Sequence, residues 1–171
     1  MKIRIILSFV FPCFILLIFF FGLNNNNKYE SINLVGKKIS NFELKRLNKD
    51  TNYNIKNLSS SNFTLINFWS SWCAPCREEH KYLMLLKKNA NIKILGINFK
   101  DNKNNAFKFL ENLGNPYDDI LRDIDGKGSV IFGIYGIPES ILVDSDLMII
   151  KKYIGPISKK EYKEILQHIK K

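Results

Sequence analysis

Residues 63–76 read FTLINFWSSWCAPC, and this stretch decides the fold. Its first half, Phe63–Trp69, is a continuous apolar run of the kind that predicts a buried strand. The residues that follow, Cys76–Asn89, repeat apolar side chains at helical spacing. The sequence therefore predicts a strand that leads directly into a helix, with two cysteines at the junction.

Outside this stretch, short apolar runs alternate with helical patterns. Further strands are predicted over residues 92–97, 140–143 and 148–154, and further helices over residues 104–113 and 158–171. The last helix opens with the capping box Ser158-x-x-Glu161. Alternation of this kind predicts an α/β sandwich built around a single core.

Cys73 and Cys76 are separated by two residues at the predicted start of the helix. This spacing brings the sulfurs within bonding distance and leaves the first one near the free N–H groups of the first turn. The helix dipole favours a thiolate there, so we expect Cys73 to attack a disulfide and the more buried Cys76 to resolve the product. The pattern indicates a redox-active dithiol.

A metal site and a structural disulfide are the alternatives for this cysteine pair. Two thiolates suit zinc or copper, but a structural zinc needs four ligands, and after residue 23 only His80 and His168 could join the pair. A disulfide that closes a loop of two residues adds little stability. We therefore expect no metal ion and no cofactor.

Glu79 shares the inward stripe of the predicted helix with Cys76, Leu83 and Leu86. It is either a first-turn carboxylate that complements the helix dipole or a proton acceptor near Cys76. His80, four residues after Cys76, is expected to be a solvated neighbour.

Residues 1–23 are predicted to be an uncleaved transmembrane signal anchor. Lys2 and Arg4 precede an apolar run that spans roughly 28 Å at about 1.5 Å per residue. The positive-inside rule keeps these charges in the cytoplasm and exports the rest of the chain. Residues 24–36 are predicted to be a polar tether and residues 37–171 the folded domain. Cys13 lies within the apolar run, and we assign it no chemistry.

The composition limits the classes of function. The chain has 171 residues with a net charge of +10, and 46% of them are hydrophobic. Charged residues make up 25% and aromatic residues 13%, which excludes a disordered protein. Three cysteines are too few for a small disulfide-stapled domain. The lysines are scattered rather than clustered with aromatic residues, so we expect no nucleic-acid partner.

Several motifs together resemble a known family. The pair at Trp72–Cys76, with Gly136-Ile137-Pro138 before a later strand, resembles the thioredoxin superfamily. The chain is more closely similar, over roughly residues 30–171, to the membrane-anchored reductases of cytochrome c maturation, the CcmG/DsbE type. The motifs that carry this resemblance are Asn67-Phe-Trp69, Trp72-Cys-Ala-Pro-Cys-Arg-Glu-Glu-His80, Gly96-Ile-Asn-Phe-Lys-Asp101, Gly114-Asn-Pro-Tyr117 and Gly133-Ile-Tyr-Gly-Ile-Pro-Glu-Ser140.

This resemblance implies a thioredoxin-like α/β fold, with a central mixed sheet flanked by helices and one transmembrane helix before it. It implies a single-pass protein of the bacterial inner membrane whose catalytic domain lies in the periplasm. There it would reduce the cysteines of the Cys-x-x-Cys-His haem site of apocytochrome c, or the mixed disulfide formed on them. Its partners would be apocytochrome c or its maturation factors. A membrane electron donor of the CcdA or DsbD type would reduce its own disulfide.

The resemblance also implies roles for individual residues. Pro138 is expected to follow a cis peptide bond, Glu139 to lie near the dithiol, and Glu79 to be the helix glutamate of the site. Asn67 stands where thioredoxins have a buried aspartate, so Glu79 or Glu139 would replace that acceptor. Assuming that Glu79 keeps access to solvent, we expect Glu139→Gln to slow turnover more than Glu79→Gln. Ser140, where the family often has threonine, is a mild change.

Two other functions are alternatives to this one. One is a general periplasmic disulfide reductase of thioredoxin fold with a broader range of substrates. The other is a tethered copper chaperone, which would require Cys-x-x-x-Cys and a later histidine. The spacing of Cys73 and Cys76 disfavours the chaperone.

Overall fold

The strand that leads to the cysteines lies in the middle of a mixed sheet. The computed structural model describes residues 11–20, 34–58 and 61–170, and within them the sheet has seven strands in the order β2-β1-β5-β4-β3-β6-β7. The strands are β1 (Glu43–Arg46), β2 (Asn52–Asn54), β3 (Phe63–Trp69), β4 (Lys93–Phe99), β5 (Asp119–Asp123), β6 (Glu139–Asp144) and β7 (Ile149–Ile154). β3 pairs in parallel with β4 and antiparallel with β6, so its backbone is bonded on both sides.

Among the described residues of the unit that begins at Leu34, four segments are α-helical. They are α1 (Ala74–Asn89), α2 (Lys103–Leu113), α3 (Lys127–Ile131) and α4 (Lys159–Ile169), and a short 3-10 helix covers Ile55–Asn57. The predicted capping box at the start of α4 is present, with Ser158 and Glu161 bonded to each other's backbone N–H groups.

Alternation along β3 separates two apolar clusters. Leu65 and Trp69 pack on one face of the sheet with residues of α1, α2 and α4, and with both site cysteines. Ile66 and Phe68 pack on the opposite face with Phe132, which follows α3. Successive side chains of a strand point to opposite faces. Asn67 therefore faces the same side as Leu65 and Trp69, which is the side of α1.

The predicted strands and helices are confirmed, with ends that differ by one or two residues. The sequence pattern does not predict β1, β2, β5 or α3. β1 and β2 form a mostly polar hairpin at the sheet edge, and α3 has only five residues. Elements that short lack the repeated apolar spacing that identifies longer ones.

The predicted anchor and tether lie mostly outside the described residues. Residues 11–20 are helical, and their side chains, including Cys13, are exposed. In the parts of the chain that the structure describes, no helix combines the length and the apolar character required to cross a bilayer.

Candidate active site

The two cysteines close a disulfide across the first turn of α1. Cys73 is the N-cap of the helix, and its Cα lies 5.3 Å from that of Cys76. The backbone N–H of Cys76 points at Cys73 Sγ, with 3.2 Å between nitrogen and sulfur. Cys73 is 4% exposed and Cys76 2%, so burial hardly distinguishes them. What distinguishes them is the N–H directed at Cys73, an arrangement that stabilises a thiolate on this sulfur.

The turn before Cys73 is held by the loop between β4 and α2. The carboxylate of Asp101 accepts the backbone N–H of Ser71 at 2.6 Å and its hydroxyl at 2.8 Å. The Trp72 indole N–H donates to the carbonyl of Lys100 at 3.1 Å, although the ring itself is 60% exposed. Asp101 is not a predicted site residue. The sequence feature that could have indicated Asp101 is its position at the end of the family motif that begins at Gly96.

Glu79 is buried under the dithiol, on the next turn of α1. It is 1% exposed, so its inward orientation is confirmed and the assumption that it reaches solvent is wrong. One carboxylate oxygen accepts from Asn67 Nδ2 at 2.8 Å, and the other accepts from the backbone N–H of Ile157, also at 2.8 Å. Burial raises the pKa of Glu79 to about 7, against the lowering effect of these two hydrogen bonds.

Asn67 connects Glu79 to two further side chains. Its Nδ2 donates to Ser140 Oγ at 3.0 Å as well as to Glu79, and its Oδ1 accepts the hydroxyl of Tyr117 at 2.8 Å. The ring of Tyr117 stacks on Trp69, with 5.3 Å between the ring centroids. Nothing in the spacing of the sequence predicts that Tyr117 reaches Asn67. The only signal is that Tyr117 ends one of the family motifs.

The peptide bond between Ile137 and Pro138 is cis, as expected. In the register of β6 on β3, Glu139 lies opposite Phe68, so Pro138 lies beside the end of β3. Ile137 packs against the apolar cluster that contains both cysteines. The proline loop therefore lies beside the carboxyl end of β3, the end from which the chain leads to the cysteines.

Glu139 lies on the other face of the sheet from Glu79. It pairs with Phe68, which belongs to the cluster opposite α1, whereas Glu79 binds Asn67 on the side of α1. Its carboxylate lies 2.8 Å from Lys152 Nζ, and both side chains are less than a tenth exposed. Lys152 also donates to the carbonyl of Gly133 at 2.7 Å. Glu139 is thus half of a buried ion pair, whereas Glu79 has no cation among its hydrogen-bond partners.

His80 is buried, and the expectation of a solvated neighbour is wrong. Its Nε2 lies 2.9 Å from the carbonyl of Gly114, and its ring meets the ring of Phe109 edge-on, with 5.1 Å between centroids. The spacing of four residues from Cys76 places it on the inward side of α1. Burial lowers the pKa of His80, so it is neutral at pH 7. Among the described residues, no group of three or more His, Cys, Asp or Glu side chains could hold a metal ion.

Comparison with known proteins gives matches along most of the chain. The family model named Redoxin matches residues 34–166. The thiol:disulfide interchange protein CycY of Rhizobium leguminosarum bv. viciae is 48% identical over 101 residues, which are 59% of this chain and 54% of that protein. The thiol:disulfide interchange protein DsbE of Haemophilus influenzae is 32% identical over 174 residues, covering 99% of this chain and 96% of that protein.

Solved structures share the fold. A thioredoxin-like protein from Aeropyrum pernix superposes with a TM-score of 0.64 at 17% identity, covering 75% of this chain and 89% of that one. At this level of identity the similarity concerns the fold alone. The predicted thioredoxin-like fold, with a central mixed sheet flanked by helices, is confirmed.

Proposed function

The chain belongs to the redoxin family and, within the thioredoxin superfamily, to the thiol:disulfide interchange proteins of the CcmG/DsbE type, and on that premise we propose that it is a reductant in cytochrome c maturation. It is a thiol-disulfide oxidoreductase. The observation that carries the proposal is the Cys73–Cys76 pair at the start of α1, with the buried carboxylate of Glu79 one turn below it. The proposed target is the disulfide of an apocytochrome c haem site, or a mixed disulfide formed on it.

In the first step the Cys73 thiolate attacks the target disulfide. A Cys73–target disulfide forms, the target S–S bond breaks, and the released target thiolate takes up a proton. The N–H of Cys76 already points at Cys73 Sγ in the oxidised protein. The same N–H would stabilise the attacking thiolate of the reduced protein.

In the second step Cys76 resolves the mixed disulfide. Its thiol must first lose a proton, and we propose that the carboxylate of Glu79 accepts it. The Cys76 thiolate then attacks Cys73 Sγ, the Cys73–target bond breaks, and the internal disulfide forms while the second target thiolate leaves and takes up a proton. Two electrons pass from the dithiol to the target. A pKa of about 7 keeps a substantial fraction of Glu79 ionised at neutral pH while making it a stronger base than an exposed glutamate.

Pro138 and Glu139 are proposed to shape the target site rather than to move protons. Pro138 has no N–H, and its carbonyl accepts from Gly155 at 3.0 Å. We propose that an extended target segment pairs with the backbone of Ile137 beside it. The ion pair between Glu139 and Lys152 would fix this loop against the sheet.

The proposed partners follow from the same premise. Apocytochrome c or its maturation factors would receive the electrons, and a membrane donor of the CcdA or DsbD type would supply them. Residues 1–23 are proposed to anchor the chain in the inner membrane, with residues 24–36 as a tether and residues 37–171 in the periplasm. The apolar run after Lys2 and Arg4 supports the anchor.

Target preference provides the test of the proposed function. The reduced full chain is expected to reduce an oxidised Cys-x-x-Cys-His peptide at least tenfold faster than a Cys-x-x-Cys-Ala peptide of otherwise equal sequence, because a dedicated reductant contacts residues beside the cysteines. Thiol release under single-turnover conditions gives both rates. Equal rates on these and on unrelated disulfides would favour the general periplasmic reductase instead.

Topology gives a separate prediction for the anchor. A reporter that is active only outside the cytoplasm is expected to be active when it is fused after Lys171, because Lys2 and Arg4 keep the N-terminus inside. N-terminal sequencing of the mature protein should begin at residue 1. Activity of a cytoplasm-only reporter at the same fusion site would contradict the proposed topology, and a sequence that begins near Asn24 would indicate a cleaved signal.

A further inference from the structure

We propose that Tyr117 is a positioning residue of the exchange reaction, because its hydroxyl fixes the amide of Asn67 in the orientation that keeps an N–H on Glu79. This inference rests on the proposed role of Glu79 as the proton acceptor. It assigns a function to the tyrosine of the Gly114–Tyr117 motif, which the dithiol mechanism itself does not use.

The hydrogen bonds of Asn67 are matched to one orientation of its side chain. An amide has a carbonyl end that only accepts and an NH₂ end that only donates. The two hydrogens of Nδ2 are taken by Glu79 at 2.8 Å and Ser140 at 3.0 Å, and Oδ1 takes the hydroxyl of Tyr117 at 2.8 Å. Burial raises the pKa of Tyr117 well above its usual range, so the phenol keeps its proton and donates it.

The position of the Tyr117 ring is itself fixed from two sides. One face stacks on Trp69, with 5.3 Å between the centroids and 18° between the ring planes. On another side lies Gly96 of β4, where an added Cβ would come within 2.8 Å of the ring. Glycine at residue 96 therefore leaves the space that the ring fills. The hydroxyl is held where it meets Asn67, which lies 50 residues away in sequence.

Loss of the hydroxyl would change which protonation state of Glu79 the site prefers. Without Tyr117, Oδ1 of Asn67 is left buried with no donor. The phenol also no longer polarises the amide, so the N–H of Asn67 binds the ionised carboxylate of Glu79 less strongly and is held less firmly in place. The ionised form of Glu79 would lose part of the stabilisation that this hydrogen bond gives it, and the pKa of Glu79 would rise.

Among the described residues, the other groups that face Glu79 offer no donor that could replace the N–H of Asn67. Ile157, ahead of α4, already donates its N–H to the second carboxylate oxygen. Ser140 of β6 reaches Glu79 only through Asn67. Cys76, on the same helix, is closed in the disulfide of the oxidised protein and does not titrate. Tyr117 titrates only well above its usual range and carries no positive charge. The hydrogen bond from Asn67 is therefore the contact with Glu79 that Tyr117 influences.

The experiment follows the titration of Glu79 directly, by carbon NMR of its side-chain carboxyl in the oxidised full chain in detergent micelles. The Glu79→Gln variant assigns the signal. Tyr117→Phe is expected to raise the titration midpoint by about half a pH unit, equivalent to a roughly threefold change in proton affinity. Tyr53→Phe is the matched control, because Tyr53 is also buried and its hydroxyl donates to the carbonyl of Asn57, far from this cluster. It should leave the midpoint in place.

An unchanged midpoint in a folded Tyr117→Phe protein would overturn the proposal. If that variant does not fold, the unaltered protein still provides a test. The two side-chain N–H signals of Asn67 should shift with the same titration midpoint as Glu79. N–H signals that do not change as Glu79 titrates would also overturn the proposal. The rate of the resolution step, measured against pH, separates the role of Tyr117 from the role of Glu79 as proton acceptor. A raised midpoint whose rate profile does not move supports the positioning by Tyr117 and refutes Glu79 as the acceptor.

Discussion

Replacing Cys73 with serine is expected to abolish reduction of a disulfide target, leaving only the rate measured without protein. A serine hydroxyl is not ionised at neutral pH and cannot form the mixed disulfide. Replacing Cys76 with serine is expected to stop the reaction one step later, because Cys73 still attacks but nothing resolves the product. Single-turnover assays with a pre-reduced protein and a Cys-x-x-Cys-His peptide give the rates. Mass spectrometry of the Cys76→Ser protein should show the peptide covalently attached.

Cys13→Ser is the control for both cysteine variants. Cys13 lies in the helical segment 11–20, outside the folded unit that begins at Leu34, and it is exposed and free. The rate of the Cys13 variant should equal that of the unaltered protein. Peptide attached to Cys76 in the Cys73→Ser protein, and no attached peptide in the Cys76→Ser protein, would show that the two roles are reversed.

Replacing Glu79 with glutamine is expected to slow the resolution step about 100-fold at pH 7. This value is at the lower end of the rate effects that the loss of a general base produces. Only the ionised carboxylate accepts a proton. Because the pKa of Glu79 is about 7, resolution by the unaltered protein should speed up as the pH rises through 7. The glutamine variant should lack this inflection. Rapid-mixing measurements of resolution between pH 5 and 9 provide the test.

Glu78→Gln is the matched control for Glu79→Gln. The two residues are adjacent on α1, but Glu78 is exposed, so its replacement should keep both the rate and the inflection. Glu139→Gln should also keep the inflection while it lowers stability, because it leaves Lys152 as a buried charge without its partner. The expected effects on turnover are thus the reverse of the sequence-based expectation, in which Glu139→Gln is the slower variant. An inflection that disappears in Glu139→Gln and persists in Glu79→Gln would favour that sequence-based expectation.

The same carboxyl group should make stability depend on pH. The folded-state pKa of about 7 lies above the unfolded value of 4.5, so the folded protein binds more protons between these two values. The contribution of Glu79 to stability is complete below the unfolded pKa and is lost as the pH rises through the folded pKa, by roughly 3 kcal/mol in all. Urea unfolding of the oxidised protein should show this decline relative to Glu79→Gln between about pH 4.5 and 7.

Local sequence patterns predict the dithiol and its helix because those features depend on neighbours in the chain. The strand before Cys73, the start of the helix and the inward stripe of Glu79 all follow from spacing within residues 63–89. Glu139 is different, because its side depends on where β6 begins. A strand predicted from residue 140 leaves Glu139 outside the strand and predicts no face for it, whereas the observed pairing with Phe68 directs its side chain away from Glu79.

The remaining differences come from contacts between distant segments. Tyr117 meets Asn67 across 50 residues, and Asp101 meets Ser71 across 30. Neither contact produces a periodic spacing of residues that could be recognised in the sequence. For His80 the spacing alone does give the inward side of the helix. What the sequence does not show is the hydrogen-bond partner of the buried imidazole, which is the carbonyl of Gly114.

The central position of β3 has a consequence for how slowly its amide hydrogens exchange with solvent. β3 is bonded to β4 on one side and β6 on the other, and all its residues after Phe63 are buried. Amides in such a strand exchange only when the molecule unfolds globally. The dithiol is thus attached to the end of one of the most protected segments of the domain. Each redox cycle must therefore be completed by side chains and the first turn of α1, on a sheet that stays closed from one turnover to the next.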